Sequence, residues 1–462
     1  MPPARQPRAI LRMPVIARPL PVIAASYLAL AMVLGGGGST APISELLLQL
    51  VAALTAAAWL IAAYRAGEPS LPADRLVWTI AGLVLVLPVV QLLPLPAAIW
   101  QSLPGRAQEL AALRVVGEET RWMPWSMTPA RTLASLLAIL PALLAMAMVA
   151  RLDLAGRRLV IMAIAGVALA SLVLGALQLS GGNSGAWRPY GPENGGYLHG
   201  FQANRNAEAD VLLIGIVALA AVLASFKRAI GGNVALAGLA GGTALLAMGC
   251  LTAGSRTGLA MLPLSLLAAG FIWFGRRPGL RALMIGGGGA AIVALGTFLL
   301  VQWNARAAHV FARFTFDRDP RADIWADTMF AISRYWPFGS GLGSFKPIYF
   351  AAERLEFVDP FYTGRAHNDY LELALEGGIF GLALLVAIAV LAGWMFVRRF
   401  GNGAGENRSQ PIAGMTMLII VASHSAVDYP LRSMAIACIA GAAVGLLSAL
   451  PANRNQGELP AR

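Results

Sequence analysis

Four histidines and a group of arginines fall in segments that the hydropathy pattern assigns to one side of a membrane. The histidines are His199, His309, His367 and His424. Histidine is the side chain most readily used as a base near neutral pH. The arginine guanidinium binds phosphate oxygens in pairs and stays charged. Together these residue types predict a phosphate-bearing lipid substrate with a base beside it, and the alternative interpretation is an ordinary charged loop.

Arg256 lies in the segment Thr252–Gly258, which interrupts an otherwise apolar stretch. An arginine at membrane depth costs about 3 kcal/mol on insertion scales. An anionic headgroup at the membrane surface would compensate that cost. The alternative is that the side chain extends to the interface and is hydrated there.

His367 ends the longest polar segment, and an apolar helix is predicted to begin directly after it. Asn368 or Asp369 is expected to cap that helix, which places His367 at its mouth and at the level of the membrane surface. Glu372 and Glu376 follow at helical spacing. These two carboxylates either belong to the site or form hydrogen bonds between helices.

An acidic pair flanks an arginine in Asp317-Arg318-Asp319, a pattern with which many sugar transferases bind a metal ion. Two aspartates around an arginine more often form a solvated turn, so the sequence predicts no metal site and no cofactor. Cys250 and Cys438 lie within apolar stretches. They are interpreted as small buried side chains, without a disulfide or a metal cluster.

Twelve apolar segments, each approaching the roughly 20 residues that cross a bilayer, account for most of the chain. Of its 462 residues, 58% are hydrophobic and 13% are charged, whereas a soluble domain carries about 25% charged residues. The pattern predicts an all-α polytopic membrane protein. The segments fall near residues 16–36, 43–64, 75–97, 131–150, 158–179, 207–226, 234–252, 257–275, 282–302, 370–397, 411–428 and 430–449.

Basic residues concentrate in alternate connections between these segments, including those that hold Lys227 and Arg398. The net charge of +12 is therefore explained by the positive-inside rule, and no nucleic-acid partner is expected. The N-terminus is predicted to lie inside, with a first helix that is retained rather than cleaved. The long segments 98–130, 180–206 and 303–369 then lie outside, in the periplasm.

The outer segment 303–369 is too long to be an unstructured connection without a function. It is predicted to contain a helix from Arg321 to Tyr335, closed by Trp336-Pro337. The predicted organisation is nine membrane helices in 1–302, the large periplasmic loop 303–369, and three helices with a cytoplasmic tail in 370–462.

Four motifs lie between Ser255 and Leu382. Together they resemble the O-antigen ligase family, with its related O-antigen and exopolysaccharide polymerases and protein O-oligosaccharyltransferases. The likeness covers roughly residues 190–400. The motifs are Ser255-Arg256-Thr257-Gly258, Arg321-Ala322-Asp323-Ile324-Trp325, Trp336-Pro337-Phe338-Gly339-Ser340-Gly341-Leu342-Gly343-Ser344-Phe345, and His367-Asn368-Asp369-Tyr370-Leu371-Glu372 with Glu376-Gly377-Gly378-Ile379-Phe380-Gly381-Leu382.

The resemblance implies a GT-C-like membrane fold and a metal-independent, inverting glycosyltransferase of the bacterial inner membrane, with its active site facing the periplasm. The donor would be a glycan on undecaprenyl pyrophosphate, and the acceptor a hydroxyl of lipid A-core or of another glycan. Arg256 and Arg321 would bind the pyrophosphate and stabilise its departure, and His367 would deprotonate the acceptor. Arg365 and Asn368 would add to substrate binding.

Two other functions stay open at this point. A polymerase of the same family would share the donor and the chemistry but would use a repeat unit as acceptor. A polysaccharide transporter would place polar groups near the bilayer midplane on broken helices, often in two repeated halves. Here the ionisable residues lie near one face, and the two halves of the chain do not look alike.

The choice of His367 as base rests on its position and on the family motif. On composition alone two other histidines are alternative bases. They are His309, in the earlier part of the large loop, and His424, which precedes Asp428 near the outer end of another predicted helix. Asn204 and Asn206 loosely resemble a family segment that precedes the sixth helix, and no role is predicted for them.

Overall fold

The computed structural model describes the chain in seven stretches, and its regular structure is almost entirely helical. One antiparallel sheet of two short strands, β1 (Pro94–Leu95) and β2 (Met123–Pro124), is present among these residues. The described stretches are residues 18–40, 42–180, 187–190, 196–275, 321–358, 363–401 and 406–451.

Most helices of these stretches overlap predicted apolar segments. In chain order they are α1 (Pro19–Leu34), α2 (Pro42–Ala66), α3 (Arg75–Leu92), α4 (Ala97–Trp100), α5 (Ala107–Val115), α6 (Pro129–Arg151), α7 (Leu154–Ser180), α8 (Arg205–Ile230), α9 (Gly232–Ala253), α10 (Arg256–Phe274), α11 (Arg321–Tyr335), α12 (Phe345–Phe350), α13 (Asp369–Gly401), α14 (Glu406–Ser425) and α15 (Met434–Leu447). Three 3-10 segments, Gly35–Thr40, Leu355–Phe357 and Pro430–Arg432, join them.

Nine helices in the described stretches are long and apolar enough to cross a membrane, namely α1 to α3, α6 to α10 and α13. The chain is therefore an all-α polytopic membrane protein, as predicted. The count of twelve spans is not confirmed. The predicted span 282–302 lies outside the described residues, and the last two are the helix α14 and the 14-residue helix α15.

Two predicted spans end three or more residues earlier than expected. The span 75–97 stops at Leu92, because Pro94 and Pro96 cannot continue a helix and disfavour helical backbone before them. The span 411–428 stops at Ser425. This second difference matters for the site, because it leaves Asp428 on a turn outside the helix.

Segments predicted to lie inside contact one another at one end of the helix bundle, which we call the distal end. The guanidinium of Arg18 lies 2.9 Å from the carboxylate of Asp153, and that of Arg151 lies 3.6 Å from Glu68. The opposite end, where α8, α10 and α13 begin, is called the site end. The alternation predicted from charge is thus reflected in the packing.

Arg157 closes the distal end from within. Its buried guanidinium donates to the carbonyl oxygens of Ala150 at 2.9 Å, Leu152 at 3.0 Å and Ser448 at 2.9 Å. These carbonyls end α6 and α15, where helices leave acceptors without partners. The arginine therefore satisfies two helix ends at once.

At the site end, the loop before α8 is held between the 3-10 segment that follows α1 and the start of α15. The N–H of Ala203 donates to the carbonyl of Gly36 at 2.9 Å, and Ser433 Oγ donates to Gln202 Oε1 at 3.1 Å. A Cβ on Gly36 would lie 1.9 Å from the carbonyl oxygen of Phe201. Only glycine allows this close approach, which places the first turn of α8.

Candidate active site

His367 and Asp428 form a histidine–carboxylate pair at the site end. Nδ1 of His367 lies 3.0 Å from Oδ1 of Asp428, and the histidine side chain is 32% exposed while the aspartate is 2% exposed. Asp428 Oδ2 also accepts from Asn206 Nδ2 at 2.5 Å and from Asn204 Nδ2 at 3.3 Å. A carboxylate on one ring nitrogen orients the imidazole, so Nε2 is the nitrogen available to a substrate.

The backbone of His367 has φ of +49°, a left-handed conformation that is uncommon for residues other than glycine. Such conformations cluster at functional sites, where the surrounding structure enforces them. The ring of Tyr429 packs against the His367 ring edge to face, with centroids 4.9 Å apart. The imidazole is therefore held by its backbone, by a carboxylate and by an aromatic neighbour.

Asp428 stays ionised at neutral pH despite its burial. Burial raises the pKa of this carboxyl, but the hydrogen bond and charge of His367, the charge of His424 and the amide of Asn206 outweigh it. The pKa of Asp428 falls to about 2. An ionised carboxylate beside the ring can stabilise the imidazolium that forms when His367 takes a proton.

The predicted alternative base, His424 with Asp428, is not formed. His424 Nδ1 lies 2.7 Å from Asp210 Oδ1 instead, and both side chains are at most 1% exposed. The reason is the end of α14 at Ser425, which leaves residue 424 inside the bundle against α8. A base must come within roughly 3 Å of the proton that it removes, and this ring is buried.

The charges of two predicted site arginines, Arg365 and Arg321, affect the pKa of Tyr429, the tyrosine beside His367. Burial raises the pKa of the Tyr429 hydroxyl to about 12 and Asp428 adds to that rise, whereas the charges of Arg365 and Arg321 oppose it. Arg321 also acts on His424. The structure thus brings Arg321 and Arg365 to the neighbourhood of the histidine–carboxylate pair.

Arg256 occupies the predicted position at a turn between two helices. Gly254 ends α9 in the left-handed conformation, with φ of +65°. Ser255 caps α10, its Oγ accepting from the N–H of Gly258 at 3.1 Å. A Cβ on Gly258 would lie 2.7 Å from that of Ala209. The turn that carries Arg256 therefore packs beside the start of α8.

Arg365 and Arg432 form ion pairs with buried carboxylates at the start of α13. Arg365 lies 2.6 Å from Glu372. Arg432 lies 2.9 Å from Glu372, 3.1 Å from Glu376 and 3.8 Å from Asp369. These contacts favour a structural role for Glu372 and Glu376, in which the two carboxylates connect packed segments. The sequence did not point to Arg432 as their partner.

Asn368 is the cap of α13. Its Oδ1 accepts from the N–H groups of Tyr370 at 3.0 Å and Leu371 at 3.1 Å. Asp369, the other predicted cap, instead accepts from Ser425 Oγ at 2.9 Å. The capping prediction is confirmed for Asn368, and its role in substrate binding stays a prediction.

The glycine-rich motif 336–345 follows α11 and packs against a kink in α13. At Gly378 the helix is interrupted, with φ of +57°, which leaves carbonyls of the preceding turn without helical partners. The N–H of Ser340 donates to Leu375 at 2.9 Å and that of Gly341 to Glu376 at 2.8 Å. The motif therefore replaces the missing helical hydrogen bonds.

Gly339 provides a direct test of this junction. Its φ is +83°, and a Cβ there would lie 2.6 Å from the backbone nitrogen of Gly378. Left-handed backbone costs roughly 1–2 kcal/mol for other residues, and overpacking adds typically 1–3 kcal/mol. We expect Gly339→Ala to destabilise the protein by about 3 kcal/mol. Gly364→Ala, at an open position, should leave the unfolding temperature in detergent unchanged, and equal stability of the two variants would contradict the prediction.

Three other residues considered for the site, His309, Asp317 and Asp319, lie outside the described residues. Among the residues that are described, no group of three or more histidine, cysteine, aspartate or glutamate side chains is arranged to bind a metal ion. Sequence reasoning assigned no role to Asn204 and Asn206. It paired Asp428 with His424, whereas the structure pairs it with His367. The signal for a role of Asp428 was its position as a polar residue between two apolar segments.

Residues 241–386 match the family model described as O-antigen ligase. No curated protein matches the chain. The matched segment contains Arg256, Arg321 and His367, whereas Asp428 lies beyond it. All four motifs fall within this matched segment, and over it the chain is similar to the O-antigen ligase family.

Proposed function

We propose that this protein transfers a glycan from undecaprenyl pyrophosphate to a sugar hydroxyl, with inversion at the anomeric carbon. The observation that carries the proposal is the contact between His367 and the ionised Asp428, with Arg321 and Arg365 nearby. A base beside phosphate-binding cations is the combination that this reaction needs.

In the proposed reaction, His367 Nε2 takes the proton of the acceptor hydroxyl as its oxygen attacks the anomeric carbon. The bond from that carbon to the pyrophosphate breaks on the opposite face, which inverts the configuration. The bonding electrons pass to the pyrophosphate oxygen, and the guanidinium groups of Arg256 and Arg321 compensate the developing charge. Asp428 stabilises the imidazolium. The proposal uses no metal ion and no cofactor.

Arg365 and Asn368 are proposed to contact the substrate at the edge of this site. Arg365 is paired with the buried Glu372, so a pyrophosphate oxygen would share this guanidinium with the carboxylate. Asn368 Oδ1 is engaged in capping α13, which leaves its amide N–H groups as the donors for a sugar hydroxyl.

Lipid A-core is the proposed acceptor, because the matching family model is described as O-antigen ligase. The test is glycan analysis of a strain that lacks the gene, with the intact gene restored as control. Loss of the lipopolysaccharide ladder with accumulated lipid-linked polymer supports a ligase. Accumulated single repeat units indicate a polymerase of the same family. An unchanged glycan profile would contradict both functions.

We further propose that the protein lies in the bacterial inner membrane with its site end in the periplasm. The basic residues near Lys227 and Arg398 motivate this orientation. Reporter fusions after Lys227 and after Arg398 should give cytoplasmic signals, and fusions within 321–358 should give periplasmic signals. A cytoplasmic signal from 321–358 would overturn both the orientation and the proposed access of the donor.

A further inference from the structure

Two pairs of polar side chains connect α8 to the end of α14. Asn206 and Asp210 are four residues apart and therefore share one face of α8. His424 and Asp428 are likewise four residues apart on the facing segment. Asn206 contacts Asp428 at 2.5 Å, and one helical turn deeper Asp210 contacts His424 at 2.7 Å. The outer contact belongs to the candidate active site, and the inner one has no assigned role.

The inner contact is linked to the outer one through the backbone. The carbonyl of His424 accepts the N–H groups of Val427 at 3.0 Å and Asp428 at 2.9 Å, and these bonds form the turn that carries Asp428. The position of His424 therefore sets where the Asp428 carboxylate lies. On the other side, the bond from Ser425 Oγ to Asp369 ties the same turn to α13, which begins two residues after His367.

The burial of this inner pair is costly. Both side chains are at most 1% exposed, and Asp210 Oδ2 and His424 Nε2 have no hydrogen-bond partner among the described residues. Apolar side chains of similar volume would join two helices at lower cost. Unsatisfied buried polar atoms in a native structure call for an explanation, and the geometry of the adjacent turn offers one.

We propose that Asp210 is a positioning residue that acts through His424. By fixing the His424 ring, it holds the turn at which Asp428 meets His367, so that the base is oriented before substrate arrives. The contribution to catalysis rests on the proposed function of His367. The contribution to the geometry of the histidine–carboxylate pair does not.

The geometric part is tested on the full chain in nanodiscs, without any substrate. Because the sequence contains four histidines, ring-nitrogen resonances of histidine-labelled protein can be assigned by replacing each histidine in turn. Asp210→Ala should shift the His367 resonances, although residue 210 does not touch that ring. Asp210→Asn, which keeps an oxygen acceptor for His424, should leave them near their original positions.

Glu208→Gln is the matched control. Glu208 is a second fully buried acid on the same helix, and its Oε2 accepts from Ser171 Oγ at 2.7 Å rather than from His424. This variant should leave the His367 resonances in place. If the resonances of His424 move in Asp210→Ala but those of His367 do not, the positioning role is wrong.

The catalytic part is tested in a transfer assay with lipid-linked donor. Asp210→Ala should lower kcat at least tenfold with donor KM within twofold, and Asp210→Asn should recover most of the loss. Arg157→Ala, at the distal end, should lower the unfolding temperature and leave kcat per folded molecule unchanged. A loss in Asp210→Ala that appears only as lost folded protein would overturn the proposal.

His424→Phe and His424→Asn repeat the test if Asp210→Ala does not fold. Phenylalanine fills the space without a donor, and asparagine keeps an amide donor near the position of Nδ1. We expect the phenylalanine variant to shift the His367 resonances and the asparagine variant to restore them, and equal spectra for the two would overturn the proposal. If His367→Ala keeps full turnover, the proposed function fails, while the spectroscopic result still decides the geometric part.

Discussion

His367→Ala should abolish glycan transfer while the protein still binds its lipid-linked donor. A positioned base contributes typically 10²–10⁴-fold to the rate, so we expect turnover to fall by at least about 100-fold. Donor binding should persist because the proposed pyrophosphate contacts come from arginines. The measurement is a transfer assay with purified protein and lipid-linked donor, with donor binding measured on the same preparation.

His309→Ala is the control for this variant, and its effect should be milder. Near-normal turnover in His367→Ala would remove this residue as the base. His424 would not then replace it, because its ring is buried and bonded to Asp210. Another group that reaches the acceptor hydroxyl would have to be found.

Asp428→Asn should also lower turnover, because an amide cannot stabilise the imidazolium as a carboxylate does. The pKa of Asp428 is depressed to about 2. A depressed pKa means that the carboxylate's stabilising contribution is present above the unfolded value near 4 and is lost only as pH falls toward 2. Between pH 5 and 9 Asp428 therefore remains ionised. A loss of activity in that range must therefore come from another group, and stability measured against pH should show no Asp428 transition there.

Arg256→Lys and Arg321→Lys should each lose most of the transfer activity while the protein remains in the membrane. Lysine keeps the positive charge but loses the paired donors that match two phosphate oxygens. Removing one preorganised contact to a developing charge typically costs 10²–10³-fold, and we expect a loss near the lower value. The assay is run with a chelator present, because the proposed mechanism uses no metal ion.

Arg334→Lys is the matched control for the second variant, since Arg334 lies on the same helix α11 but is exposed near its end. It should retain full activity. Full activity in both Arg256→Lys and Arg321→Lys, or activity rescued only by divalent ions, would rule out a pyrophosphate clamp formed by these two residues.

Several features were determined by the sequence alone, because each depends on residues that are neighbours in the chain. Long apolar segments must be helical in a bilayer, where every backbone group needs an internal partner. The helix Arg321–Tyr335, the cap at Asn368 and the turn at Arg256 follow from the same local rules. The prediction that His367 is the base came from its place before a helix and from its motif.

Which side chains meet was decided only by the tertiary structure. Successive residues of a helix point about 100° apart, since 3.6 residues complete a turn. The end of α14 at Ser425 therefore leaves His424 facing Asp210, and the turn beyond carries Asp428 to His367. The partners Arg432 and Glu372 depend likewise on how the segment before α15 packs on α13. No local rule relates residues that are distant in the chain, so their pairing required the packed bundle.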